Sequence, residues 1–327
     1  MKEQIKAYHH FLSPRGFYRD ILDGLESTPK FLPAKYLYND SGDRLLVEEG
    51  ALAEYYFLDP EVEILTSKME DLAEIFRKEN SPFDLIEFCS GPHYKRSLIL
   101  RELLKDGKGL NYFPVDISSD AINALHEVTK RDFPSIRYSG FETRSLEAIN
   151  QVRSISGNRK VILLLDRNIS DFSRTQLPEI LTSLRRQITS TDLLVLGFEM
   201  EKSPQTAVAA YSKKTGLLRE LSLNLLNRIN RELNSNFPVE KFEHFQSYDP
   251  ILRQEKSYMI SCEEQMVNIN GAHIINFDRH EPIEMGISQN HNICDLEVLA
   301  RRSGFRFIKQ FSDTNRWFTI MVWATSS

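Results

Sequence analysis

Two short apolar runs end in residues suited to holding a ligand. The run Asp84-Leu85-Ile86-Glu87-Phe88 closes on Cys89-Ser90-Gly91, small residues that would let a ligand approach the backbone where a strand turns into a helix. The run from Asn111 to Val115 closes on Asp116, whose carboxylate can accept hydrogen bonds from both hydroxyls of a ribose. A small-residue turn and, one strand later, an acid are what a nucleoside needs at the carboxyl ends of parallel strands. The same residues also fit an ordinary tight turn and a solvated acid, because Cys89-Ser90-Gly91 is not the three-glycine spacing of a dinucleotide site. No metal is expected: His9-His10, His280 and His291 are scattered, without helical pairing or cysteine neighbours. Lys68 to Lys78 and Arg185-Arg186 read as solvated helix faces.

The elements that would position these residues alternate along the chain. After a segment up to residue 80 that reads as helical, with apolar positions at Ile64, Leu65, Met69, Leu72 and Ile75-Phe76, come a strand over 84–88, a helix over 95–104, a strand over 111–115 and a helix over 119–130. Strands at 136–138, 161–165 and 193–198 follow, with a helix at 177–188. This alternation predicts a parallel, doubly wound sheet with helices on both faces. Beyond Lys202 the pattern changes. A helix is expected over 217–233, its stripe Leu218, Leu221, Leu225 and Ile229 reading as core. The segments SYMISC, MVNINGAHIINF and WFTIMVWAT then read as antiparallel strands, interrupted by a helix at 296–302 that Ser303-Gly304 closes.

Composition narrows the function. With 327 residues, 41% hydrophobic and 27% charged, the chain can bury a full core. A net charge of -5 gives no general basic field for a phosphate backbone, so nucleic acid is not an expected partner. No apolar run reaches the roughly 20 residues that span a bilayer, and MKEQIKAYHHFL lacks the apolar centre of a signal peptide, so no membrane partner is expected either. Three widely separated cysteines, Cys89, Cys262 and Cys294, suit a reducing compartment, and the expected location is the cytoplasm. The oligomeric state is left open.

The order of several motifs resembles one family. Phe31-Leu32-Pro33-Ala34-Lys35-Tyr36-Leu37-Tyr38-Asn39-Asp40-Ser41-Gly42 and then Glu54-Tyr55-Tyr56 are similar to the N-terminal signature of the histidine-specific methyltransferases of ergothioneine synthesis, whose architecture fungal tryptophan-derivative methyltransferases share. Cys89-Ser90-Gly91 through Lys95, Pro114-Val115-Asp116-Ile117-Ser118, Asp166-Arg167-Asn168-Ile169-Ser170-Asp171-Phe172, and Tyr211 and Gly216 ahead of LNRINREL follow in the family's order. The resemblance spans roughly residues 12 to 325 and rests on shared order and spacing.

That resemblance implies a Rossmann-like methyltransferase sheet at 81–212 carrying an inserted α+β substrate-binding region at 213–287. An N-terminal helical segment, 1–80, would contribute to the substrate site, and 288–327 would return to the methyltransferase domain. It implies S-adenosylmethionine as cofactor, with Cys89, Ser90, Gly91 and Lys95 near its methionine end and Asp116 at its ribose. The family's adenine-contacting Asp-Phe pair corresponds to Gly140 and Phe141, so the ring contact is kept and the carboxylate is not; Glu142 stands next door. Tyr55, Asn168 and Tyr211 would grip the ammonium and carboxylate of a small amino-acid-like substrate, and Tyr38 would be the polar helper near the reacting nitrogen.

The far end of the substrate is where the sequence departs from the family. Histidine-specific relatives carry a glutamate two positions before a serine; here these positions are Gly286 and Ser288, so the serine is present and the glutamate is not. Glu284 would take its place only through a local irregularity in the strand. Leu218, Leu221 and Ser222 replace the family's threonine, phenylalanine and asparagine surroundings, and Lys256-Ser257 its glutamate-methionine pair. The expected activity is therefore N-methylation of an amino acid or derivative with altered side-chain specificity. Two other readings stay open: a catalytically silent S-adenosylmethionine-binding or regulatory protein, and a nicotinamide-dependent oxidoreductase, which the missing glycine spacing disfavours.

Overall fold

The computed structural model describes residues 16–37, 59–77, 81–88, 93–116, 119–143, 146–165 and 169–326. Their contacts divide them into two compact units: 16–37 with 202–289, and 59–201 with 290–326.

The first segment of the former unit holds α1 (Phe17–Leu25) and β1 (Lys30–Phe31). Ile21, Leu22 and Leu25 form the buried side of α1. The chain then folds back so closely that a Cβ on Gly24 would lie 2.2 Å from the carbonyl oxygen of Phe31, which only glycine avoids. Tyr36 donates a 2.7 Å hydrogen bond from its hydroxyl to Asp20 on α1.

The second unit opens with α2 (Pro60–Ser67) and α3 (Met69–Arg77). Then β2 (Phe83–Phe88), α4 (His93–Leu103), β3 (Asn111–Asp116), α5 (Ser119–Asp132), β4 (Arg137–Tyr138) and β5 (Phe141–Glu142) follow. After them come α6 (Ala148–Ile155), β6 (Arg159–Leu164), α7 (Leu177–Gln187) and β7 (Leu193–Glu199). The chain next runs through α8 (Pro204–Glu232), β8 (Phe242–Asp249), β9 (Gln254–Ser261), β10 (Gln265–Ile269), β11 (His273–Phe277) and β12 (Pro282–Gln289), all in the first unit. It closes in the second with α9 (Ile293–Arg302), β13 (Phe305–Ser312) and β14 (Phe318–Thr325).

The large sheet has the order β13-β14-β7-β6-β2-β3-β4, with β5 also paired to β3. From β7 to β4 every pairing is parallel; β14 and β13 join antiparallel at the other end. Every residue of β6 and β7 is buried, as expected for strands covered on both faces. One face packs on Ala148, Ile149 and Val152 of α6, Leu177, Ile180, Leu181 and Leu184 of α7, and Leu296 and Ala300 of α9. The opposite face packs on Ile64, Leu65, Leu72, Phe76, Ile99, Leu100 and Leu125 of α2 to α5. The sheet is thus doubly wound, and its strand order reverses between β2 and β6, the switch point at whose carboxyl end ligands bind in such sheets.

In the first unit, β1-β12-β9-β8 form a second sheet and β10-β11 a separate hairpin through Asn270-Gly271, both at positive φ. α8 packs on β8 and β9. Leu221, Leu225, Leu226 and Ile229 are buried on the helix, as Phe242, Met259 and Ile283 are on the sheet. Arg228 of α8 lies over the ring of Phe17 at 4.5 Å and that of Tyr36 at 5.8 Å, fastening 16–37 to this unit.

The helix expected from Leu217 begins instead at Pro204, where Ser203 caps it by accepting from the Thr206 amide at 3.1 Å. Its first half, TAVAAYSKKTG, is small and polar and carries no large apolar stripe, so periodicity alone places the start too late. The helical reading of the N-terminal segment also needs correction at 30–31, which pair in parallel with Ile283 and Glu284 of β12. Among the described residues no helix is long and apolar enough to cross a membrane.

Candidate active site

In the second unit, four of the residues named from the sequence, Asp116, Gly140, Phe141 and Glu142, come together at the carboxyl ends of parallel strands. Asp116 is the last residue of β3 and stands opposite Glu142 across the β3–β5 pair, as Val115 stands opposite Phe141. Asp116 and Phe141 are half-buried and Glu142 is exposed. The Phe141 ring packs 6.2 Å from that of Phe113, which fixes its plane against the core while leaving part of it open. Gly140 is tightly enclosed: a Cβ there would come within 2.5 Å of Ile122 and 3.0 Å of the Tyr138 hydroxyl. A side chain at this position would have to displace Ile122.

Beneath these strand ends lies a buried polar network. Glu87 of β2 accepts from Arg96 Nε of α4 at 3.1 Å and from the Tyr112 hydroxyl. Burial pushes the Tyr112 hydroxyl well above its ordinary range, so it stays a donor, and the Tyr138 hydroxyl is pushed up for the same leading reason.

Lys95 lies in the first turn of α4. Its Nζ is buried, 2.6 Å from Glu61 and 2.9 Å from Asp59. Asp59 in turn caps α2 by accepting from the Glu61 amide at 2.9 Å. Neither acid was singled out in the sequence; the visible signal was Asp59-Pro60-Glu61 at a helix start, which reads equally as a plain cap.

The first unit carries Gly286 and Ser288 on β12. Gly286 pairs with Ser257 of β9, and Ser288 with Glu255, so both face the same side of the sheet as Met259 and Ile283. The β12–β9 register shifts between Glu284 and Gly286, with Met285 as the additional residue. Glu284 pairs with Tyr258 and lies 3.7 Å from Lys256, on the other face. Burial raises its carboxyl pKa, and Lys256 draws it partly back. The irregularity thus sets Glu284 on the opposite face of the sheet from Gly286 and Ser288. Gly286 has φ +156°, and a Cβ on it would lie 3.0 Å from the Ala34 Cβ.

On the Gly286 and Ser288 face, His244 of β8 joins Ser257: His244 Nε2 and Ser257 Oγ are 2.8 Å apart. Burial, and then the Arg219 guanidinium on α8, lower the His244 pKa and keep it neutral. Sequence reasoning passed over His244, although its two-residue spacing from the apolar Phe242 was the available signal. Tyr38, Tyr55, Cys89, Ser90, Gly91 and Asn168 lie outside the described residues; Tyr211 is on α8, and its side chain lies outside the description as well.

Comparison with known proteins decides the family: the histidine-specific, S-adenosylmethionine-dependent methyltransferase family matches residues 17–325. This chain belongs to that family. The methyltransferase is 26% identical over 296 residues to histidine N-alpha-methyltransferase of Mycobacterium tuberculosis, covering 90% of each chain. It is 22% identical to the 4-dimethylallyltryptophan N-methyltransferase ifgB of Penicillium roqueforti, covering 88% of each. It is 23% identical to ergothioneine biosynthesis protein 1 of Schizosaccharomyces pombe over 86% of this chain and 37% of that longer protein. Among solved structures it is similar to the CcbJ methyltransferase of Streptomyces caelestis, with 9% identity, a TM-score of 0.41, and coverage of 79% of this chain and 90% of that one.

Proposed function

We propose that this methyltransferase transfers a methyl group from S-adenosylmethionine to a nitrogen of a small amino acid or amino-acid derivative, with a side-chain preference other than free histidine. The family membership and relatives named for histidine and tryptophan-derivative N-methylation support the reaction type. What supports the altered preference is the resemblance, which sets Gly286 where histidine-specific relatives carry a glutamate, together with the register that puts Glu284 on the other face of the sheet.

The residues at the strand ends suit the donor. Asp116 supplies two acceptor oxygens for the ribose hydroxyls, the open part of the Phe141 ring can flank the adenine, and Glu142 stands where a carboxylate could meet the base edge. Lys95, fixed by Asp59 and Glu61, and the turn Cys89-Ser90-Gly91 would hold the methionine end. When bound, the sulfonium supplies an already activated methyl group. The protein's work is then to align and hold: Tyr55, Asn168 and Tyr211 would grip the zwitterionic end through neutral donors and acceptors, fixing the amine in line. Tyr38 would stand at the amine as a hydrogen-bonding helper that orients it, while the proton that an ammonium must lose before it can attack would leave to water. We place the protein in the cytoplasm, where Cys262 and Cys294, both free of disulfides, would stay reduced.

The test is to incubate the protein with isotopically labelled methyl donor and a pool of amino acids, and to follow label by mass spectrometry. Amino acids heavier by whole methyl units, with histidine not the best substrate, are expected. Calorimetry showing affinity for neither S-adenosylmethionine nor S-adenosylhomocysteine would defeat the proposal.

A further inference from the structure

The face of the small sheet that carries Gly286 and Ser288 changes character along its length. Phe242, Met259 and Ile283 are buried against the inner side of α8, and one step further His244, Ser257, Gly286 and Ser288 are all only partly buried. The polar part is ordered. Ser257 stands directly opposite Gly286 in the ladder, and its hydroxyl bonds diagonally to His244 Nε2 at 2.8 Å. Gly286 has no side chain to cover the serine, and among the described residues only the Ala34 Cβ comes within 4 Å of where one would start.

The direction of the His244–Ser257 bond follows from the other ring nitrogen. His244 Nδ1 is buried with no hydrogen-bond partner among the described residues. If Nδ1 carried the proton of the neutral ring, a buried N–H would go unmatched, which is a rarer and costlier defect than a bare lone pair. The proton therefore sits on Nε2 and is donated to Ser257 Oγ. Ser257 then accepts from His244, and its own hydroxyl proton is left to point across the open face beside Gly286. Ser222 on α8 does not compete for it, since its hydroxyl already donates to the Leu218 carbonyl at 2.8 Å.

We propose that Ser257, oriented by His244, is a specificity-determining hydrogen-bond donor that reads an uncharged acceptor atom on the substrate's side chain. The inference rests on the amino-acid methyltransferase reading above and gives it a substrate class: side chains ending in a neutral oxygen acceptor, or in a ring-nitrogen acceptor on a ring that carries no N–H. A carboxylate at 286 would be an acceptor and would select a substrate N–H; glycine there and a donating serine opposite reverse that polarity. His244 acts through Ser257 and is a positioning residue.

The experiment compares pairs that differ by one acceptor atom: 3-pyridylalanine against phenylalanine, and methionine sulfoxide against methionine. For each, kcat and KM for methyl transfer and calorimetric affinity are measured with the full chain. The acceptor-bearing member of at least one pair is expected to be preferred by about tenfold in kcat/KM, through KM, which is the size of one hydrogen bond. That preference should fall to about unity in Ser257→Ala and in His244→Phe, and return in His244→Gln, whose amide N–H can replace the imidazole donor. Phenylalanine and methionine should behave alike in all four proteins, a control that a folding defect would not satisfy. A preference unchanged in Ser257→Ala, a wild-type protein that favours tryptophan over every acceptor-bearing side chain, or methyl transfer with no preference within either pair would overturn the inference while leaving the methyltransferase reading intact. Failure to bind or methylate any amino acid would overturn both.

Discussion

Glu284 and Gly286 lie two positions apart on β12 yet face opposite sides of its sheet, because Met285 is an extra residue in the ladder with β9. In an unbroken strand residues two apart share a face, and Glu284 would then sit on the side of Ser288. The bulge instead hands Glu284 to Lys256 and Tyr258 and leaves a residue without a side chain opposite Ser257.

If that geometry governs recognition, Glu284→Gln will leave the ranking of amino-acid substrates unchanged, with each kcat/KM within about twofold of wild type, since Glu284 faces away from Ser257 and its pair with Lys256 is long, at 3.7 Å, and partly solvated. Competition assays with mixed amino acids check this. A tenfold change in ranking would show that Glu284 does reach the substrate.

The bulge depends on Gly286 being glycine. Gly286→Ala is expected to cost roughly 1–3 kcal/mol, because φ +156° is strained for an L-residue and the new methyl would press on Ala34 at 3.0 Å. Ala34→Gly in the same chain should recover part of that loss and not all, since it relieves the contact and not the backbone strain. Urea denaturation of the three variants measures both effects.

At the other ligand end, Asp116→Ala removes an acceptor of up to two charge-assisted hydrogen bonds. S-adenosylmethionine and S-adenosylhomocysteine should both bind at least roughly ten- to a hundredfold more weakly, the loss expected when one bond to a charged group, worth roughly 1.5–3 kcal/mol, is removed. Because Asp116 is half-exposed at a strand end, the melting temperature of the ligand-free protein should move little. Calorimetry and thermal melts together test this, and equal affinity in the variant would remove Asp116 from the site.

Stability should fall on mild acidification because of His291. It is almost fully buried, with Nε2 lacking a hydrogen-bond partner among the described residues and its ring edge-on to Phe198 at 5.4 Å. Burial first, and the nearby Arg174 second, push its pKa down to about 4 from 6.5, against a smaller opposing effect of Asp295. The unfolded chain takes up the proton below about pH 6.5 while the folded chain does not until about pH 4, so this group costs stability progressively across that window. At pH 5 the loss relative to pH 8 is about 2 kcal/mol. His291→Gln should flatten this part of the pH profile of urea midpoints; an unaltered slope would show that another group titrates there.

The alternation of apolar runs with helical stretches from Asp84 to Phe198 was sufficient to read the doubly wound sheet. Strands buried on both faces must be continuously apolar, and β6 and β7 are. Asp116 was legible for the same reason, since an acid that ends a buried strand falls at the sheet's carboxyl edge whatever else the fold does. The order of short motifs sufficed for the family. Local pattern could not say that Lys95 would be buried between Asp59 and Glu61, more than thirty residues away, because side chains meet there only through the packing of α2 against α4. Nor could it show that Lys30 and Phe31 add a strand beside β12, since a two-residue strand has no period to detect. The substrate side of the protein was decided by tertiary structure for one reason above all. A single extra residue in a strand reverses which face every later side chain takes, and whether Met285 is in register or bulged depends on its partner strand rather than on its neighbours in sequence.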